Sequence, residues 1–184
     1  MPGKDALYFK SKASRGFTLL EILVVLSITA IIVAFATPSF MNIMANNRVA
    51  AASSELLLTL NMAKNEAIKT GQSTILCKSS DASQCDINTT WNTGWLLFND
   101  LNNDRQVDDG DKIIRTHGTV ETSLNFNFYT GNYVRFNSSG QLNENGRFCF
   151  NNAYRPENSR AVIITQTGRI RTEVRDSTNN CADT

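Results

Sequence analysis

The hydrophobic pattern divides the chain into three stretches. Residues 17–36 form an apolar run, FTLLEILVVLSITAIIVAFA, in which Glu21 is the one charged residue. As a helix it would be about 30 Å long, the thickness of a bilayer's hydrocarbon core. Pro38 removes one helical hydrogen bond, which predicts a kink or a locally melted turn. Over 41–69 the pattern becomes amphipathic. Val49, Ala52, Leu56, Leu60, Ala63 and Ala67 recur every three or four residues, while Arg48, Glu55, Lys64, Glu66 and Lys69 lie off that stripe. Gly71 is a natural stop, so the spacing predicts one helix over 17–69, about 80 Å long. Beyond it, short β-type runs alternate with turn residues. The expected strands are 73–78, 94–99, 112–117, 124–129, 133–137, 147–151, 161–166 and 169–174. A helix followed by such strands predicts an α+β fold: a long N-terminal helix, kinked near Pro38, packed on an antiparallel β-sheet head.

Charge sharpens this picture. Eighteen Lys+Arg against seventeen Asp+Glu leave a net +1 over 184 residues, which excludes a strongly basic nucleic-acid protein. The sum hides local asymmetry. Residues 1–16 carry Lys4, Lys10, Lys12 and Arg15 against Asp5, a net +3 that keeps this end of a membrane span cytoplasmic. Residues 81–112 hold seven aspartates and two bases, a net −5; residues 131–175 hold seven arginines and three glutamates, a net +4. No lysine follows Lys112, and arginine without lysine favours forked hydrogen bonding.

At the junction of the basic segment and the apolar run the sequence reads Ser14-Arg15-Gly16-Phe17-Thr18-Leu19-Leu20-Glu21. A basic leader ending in Gly, then Phe, then Glu inside an apolar span, resembles the type IV prepilin family. The resemblance implies cleavage between Gly16 and Phe17 by a prepilin peptidase, and N-methylation of Phe17. A carboxylate within a bilayer costs up to about 3 kcal/mol on insertion scales, so Glu21 needs a partner. The new Phe17 amine of the same or a neighbouring subunit supplies one, because positions four apart share a helix face. A snorkelling Glu near the membrane boundary is the alternative. The head resembles the FimT/GspH type of minor pilin, including competence-associated FimT-like proteins. The residues that carry this are 60–68 (LNMAKNEAI), Thr74-Ile75-Leu76-Cys77, 94–98 (GWLLF) and Gly168-Arg169-Ile170-Arg171. The implied organisation is a leader at 1–16, a transmembrane and assembly helix at 17–40, an amphipathic helix at 41–71 and a β-rich head at 72–184. The implied location is a single pass of the inner membrane with the head in the periplasm, then the fibre at the cell surface. The implied partners are other minor and major pilins.

Four cysteines suit an exported head. Three pairings are open; sequence proximity favours Cys77–Cys85 and Cys149–Cys181, the second pinning the tail to a strand. Their spacings fit no common zinc pair, and no C-x-x-C occurs. The run from Asp100 resembles a calcium loop, with Asp100, Asn102, Asp104, the Gln106 carbonyl, Asp108 and Asp111 at relative positions 1, 3, 5, 7, 9 and 12. Arg105 stands where the sharp turn wants Gly, and Asp111 replaces the longer Glu. An Asn/Asp-rich solvated turn explains the same residues.

No catalytic motif surrounds the single His117 or the carboxylates, so an enzyme is not expected. Trp91 reads as a loop cover and Trp95 as a core anchor. From Gly168 onward the chain alternates, with Arg169, Arg171, Glu173 and Arg175 on one side of a strand and Ile170, Thr172 and Val174 on the other. In the family, a Gly-Arg-x-Arg stretch is associated with DNA binding by competence pilins. This implies a minor pilin that takes up DNA in natural transformation through Arg169, Arg171 and Arg175, with help from Arg160, after the turn at Gly168. The alternatives are a solvated strand face, or a structural tip subunit or type II secretion pseudopilin that touches only protein.

Overall fold

The computed structural model describes residues 16–120, 124–128, 131–152 and 159–175. Its order is helix α1 (Leu19–Thr70), strand β1 (Ser73–Lys78), a short 3-10 turn (Trp91–Thr93), then β2 (Trp95–Asp100), β3 (Lys112–His117), β4 (Leu124–Phe128), β5 (Tyr133–Phe136), β6 (Gly146–Asn152), β7 (Ser159–Ile164) and β8 (Ile170–Arg175). The chain separates into two compact units after Phe40. In the first, α1 begins at Leu19, two residues later than the apolar run suggests, because Thr18 stands at its cap. The helix continues without interruption through Pro38. The expected melted turn is absent: proline deletes a single hydrogen bond, and the turns on either side keep theirs.

In the second unit the β-runs form two four-stranded antiparallel sheets, ordered β3-β2-β1-β5 and β4-β6-β7-β8. The amphipathic end of α1 packs one face of each into a common core. Val49, Leu56, Leu60, Ala63 and Ala67 meet Leu76, Leu97, Val134 and Phe136 from the first sheet, and Phe148, Phe150, Val162 and Ile164 from the second. Ser53 and Thr59 are buried on the same helix face. Their hydroxyls donate to the Ala50 and Glu55 carbonyls, at 3.0 Å each, which satisfies them without tertiary partners. Trp91 belongs to this core and meets Phe148 edge-on at 5.0 Å, deeper than a loop cover.

Strands β1 and β2 are buried along nearly their whole length. Their second face, Ile75, Cys77, Leu96 and Phe98, packs with Cys85, Val107 and Tyr133. The loops on either side of β2 thus cover the outer face of the first sheet. Cys77 and Cys85 are bonded to each other, a closure worth about 2.5 kcal/mol in the chain-entropy model. Cys149 is also disulfide-bonded; its expected partner, Cys181, lies outside the described residues.

Within the Cys77–Cys85 loop, Asp81 accepts from the Ser83 hydroxyl (2.6 Å) and from the Ser83 and Gln84 amides (2.8 and 3.1 Å). These donors, led by the Ser83 hydroxyl, pull its pKa down to about 2. A depressed carboxylate stabilises the fold above its ordinary value near 3.8 and loses that contribution as pH falls toward 2. A carboxyl-carbon NMR titration should place the Asp81 midpoint near 2; a midpoint at the ordinary value would refute the turn.

Candidate functional site

Three regions carry the residues that the sequence singles out. The first is the start of α1. Thr18 Oγ1 accepts the Glu21 amide at 3.2 Å, and the Ile22 amide bonds the Thr18 carbonyl at 3.2 Å. Thr18 therefore caps the helix, and Glu21 stands at its third position, where an acid complements the helix dipole. Phe17 is 77% exposed, and the apolar span beyond it is exposed throughout. This helix is long and apolar enough to cross a membrane by length and composition.

The second region is the β7–β8 hairpin. The Gly168 amide bonds the Thr165 carbonyl at 2.8 Å and the Thr165 amide bonds the Arg169 carbonyl at 3.0 Å, closing the turn. Gln166 ties it to the preceding loop: its amide donates to Asn145 Oδ1 (2.8 Å), its side chain donates to the Asn143 carbonyl (2.9 Å), and its carbonyl accepts the Leu142 amide (2.9 Å). Lys64 of α1 donates to the Gly168 carbonyl at 2.8 Å. Gly168 has φ +73°, and a Cβ there would lie 1.9 Å from the Gly140 carbonyl oxygen. Glycine at 168 is thus required by close packing of two turns.

The arginines do not form one cluster. Arg169 is exposed at the turn, one residue before β8 begins. Arg171 is held by Glu173 at 2.8 Å. Arg160 pairs in register with Phe150 and Val174, whereas Arg171 pairs with Ile163. Directly paired residues share a face and neighbours alternate, so Arg160 lies on the core face of the sheet and Arg171 on the opposite one. Arg175 ends β8 opposite Ser159; its side chain is outside the described set. The basic segment before residue 16, the Tyr129 turn and Cys181 are likewise outside it.

The third region is the acidic loop 100–111. Asp100 is buried at its start, and its Oδ2 accepts the Arg105 amide at 3.3 Å. Asn102 Nδ2 donates to Asp104 Oδ2 (3.1 Å) and Asp108 Oδ2 (2.8 Å). Asp108 is held above the ordinary carboxylate value, first by desolvation and then by the Asp111 and Asp104 charges, against the lowering bond from Asn102.

A fourth cluster escapes sequence reading. Glu55 of α1 receives Arg115 Nη2 and His117 Nε2, each at 3.1 Å, and His117 stacks on Trp95 with ring centroids 4.0 Å apart. Only the alternation of β3, which puts Arg115 and His117 on one face, hints at it. Among the described residues no group of three acidic, imidazole or thiol side chains is drawn together to hold a metal.

Residues 52–168, most of the helix–sheet unit just described, match the family model of the type II transport protein GspH. The chain belongs to the GspH family of minor pilins and pseudopilins. Residues 11–37 match the prokaryotic N-terminal methylation motif. Two crystal forms of the type IV minor pilin FimU from Pseudomonas aeruginosa, each 20% identical, share the fold of this GspH-family chain. One superposes with a TM-score of 0.57 over 69% of this chain and 89% of FimU; the other scores 0.53 over 67% and 91%. The minor pseudopilin EpsH of the Vibrio cholerae type 2 secretion system is 15% identical, with a TM-score of 0.50 over 69% of this chain and 97% of EpsH. Comparison with curated proteins gives no match.

Proposed function

We propose that this chain is a structural minor subunit of a pilus or secretion pseudopilus, stored in the inner membrane and drawn into the fibre through the first half of α1. The observation that carries this reading is the exposed apolar span that begins at the Thr18–Glu21 cap. A prepilin peptidase cuts after Gly16, and the Phe17 amine so released pairs with Glu21 of a neighbouring pilin. Mass spectrometry of sheared fibres should find this chain beginning at N-methylated Phe17. Recovery with residues 1–16 still attached would overturn the reading. A deletion strain scored for twitching and for secretion decides between the two machines.

A second reading, DNA capture during natural transformation, draws on one feature: Arg169 is exposed on a turn held by Lys64 and Gln166. It is weakened because Glu173 already holds Arg171 and Arg160 lies on the other face. Duplex DNA titrated into the detergent-solubilised chain at several salt concentrations tests it. The structural reading expects no specific salt-dependent binding. Three phosphate contacts would instead give a log–log salt slope of roughly −2.7, and loss of that binding in Arg169→Gln with Arg171→Gln would establish the DNA reading.

A further inference from the structure

Neither fibre assembly nor the arginine hairpin uses the acidic loop. We propose that it binds a calcium ion through the side chains of Asp100, Asn102, Asp104, Asp108 and Asp111 and the Gln106 carbonyl.

Aspartate density alone would not carry this; Asp100 does. It is 1% exposed at the end of β2. One carboxylate oxygen faces into the loop, where it accepts the Arg105 amide. The other, Oδ1, is buried and has no hydrogen-bond partner. Buried carboxylate oxygens are normally satisfied, and a cation at the head of the loop is a partner of the right kind.

The backbone removes the objection that the sequence raises. Calcium loops need a sharp turn at the sixth residue, a place usually given to glycine. Arg105 occupies that place and adopts φ +70°. Its guanidinium carbon lies 5.0 Å over the Tyr133 ring, so the positive charge rests on an aromatic face of β5. At the twelfth position Asp111 reaches back to the loop's start, with Oδ1 accepting the Leu101 amide at 3.0 Å. Its Oδ2 accepts the Asp108 amide at 3.3 Å, so this shorter side chain already ties the two ends of the loop together.

The loop's carboxylates are not drawn together around one point: the Asn102 amide group bridges Asp104 and Asp108, and its Oδ1 accepts the Asp104 amide at 3.1 Å. Calcium replaces that bridge by drawing the carboxylates together, a rearrangement of exposed side chains. Five aspartates and one arginine between 100 and 111 give the loop a net charge of −4, which an ion would reduce. A loop offering a backbone carbonyl and several carboxylates suits calcium's adaptable shell better than the rigid octahedron of magnesium.

The test uses the full-length chain in detergent, stripped with chelator and titrated with CaCl2 by calorimetry. Binding is expected with a Kd of about 0.1–1 mM, the range of extracellular modules. At 10 mM CaCl2 (about ten to a hundred times Kd) the melting temperature should rise by roughly 3–10 °C, and MgCl2 should give a clearly smaller rise. Asp104→Asn and Asp108→Asn, both at exposed positions, should each weaken binding by about tenfold or more, as loss of a carboxylate ligand does. If one variant fails to fold, the other decides. Absence of both heat and melting shift in the parent overturns the proposal, as does undiminished binding by the folded variant. An equal response to magnesium overturns the assignment to calcium. None of these results depends on whether the chain enters a fibre.

Discussion

Gly168→Ala is expected to lower the melting temperature of the full-length chain by about 10 °C, a loss of roughly 3–5 kcal/mol. Two costs combine. Glycine 168 sits at φ +73°, a conformation that costs an L-residue about 1–2 kcal/mol. The new methyl would then lie 1.9 Å from the Gly140 carbonyl oxygen, a backbone atom with little room to retreat. Gly140 is itself held at φ +71° against Ile68 of α1. Moving it apart would also strain the Lys64 bond to the Gly168 carbonyl. Gly71→Ala is the control: its φ is +69°, yet nothing lies within 4 Å of an added Cβ, so it should lose only the conformational part. Circular dichroism melts of the two variants check this. Equal, small shifts would show that the two turns separate freely.

Glu21→Ala should leave the chain in the membrane and fold its head normally, yet cut its recovery in sheared fibres by tenfold or more. The head does not feel the change, because Glu21 lies in the other compact unit. Local helix stability changes little: Thr18 still caps the Glu21 amide through its own hydroxyl, and the lost acid costs a few tenths of a kcal/mol to about one. What is lost on this reading is the pairing with a neighbouring Phe17 amine among packed apolar helices. A close pair of opposite charges out of water is worth at least about 1.5 kcal/mol, or tenfold in occupancy. Equal recovery of mutant and parent would reduce Glu21 to a capping residue. Gly16→Val is the companion test, expected to leave a form longer by the sixteen leader residues on a gel.

Much of this protein was legible without coordinates because the relevant physics is local. A twenty-residue apolar run specifies a helix of membrane length wherever it lies. The three- and four-residue spacing from Val49 to Ala67 specifies the face that α1 buries. Alternation and turn residues place all eight strands to within about two residues. Cys77 and Cys85, eight residues apart, were close enough for sequence to suggest their pairing.

Tertiary structure alone decided what depends on partners distant in the chain. Periodicity gives each strand two faces but not its neighbours, so it could not divide one expected sheet into two. Nor could it put Arg160 and Arg171 on opposite faces, since that follows from the register between β7 and β8. Glu55 meets Arg115 sixty residues later, and Lys64 meets Gly168 one hundred and four residues later. Those contacts turned a glycine and a lysine from apparent motif residues into packing residues. The burial of Asp100 is of the same kind: the sequence marks it as one aspartate among several, and only the sheet it closes takes its carboxylate out of water. The division follows from what each depends on. Helical and strand periods are properties of a single backbone, whereas face, register and burial arise when separate segments pack, so no single segment carries them.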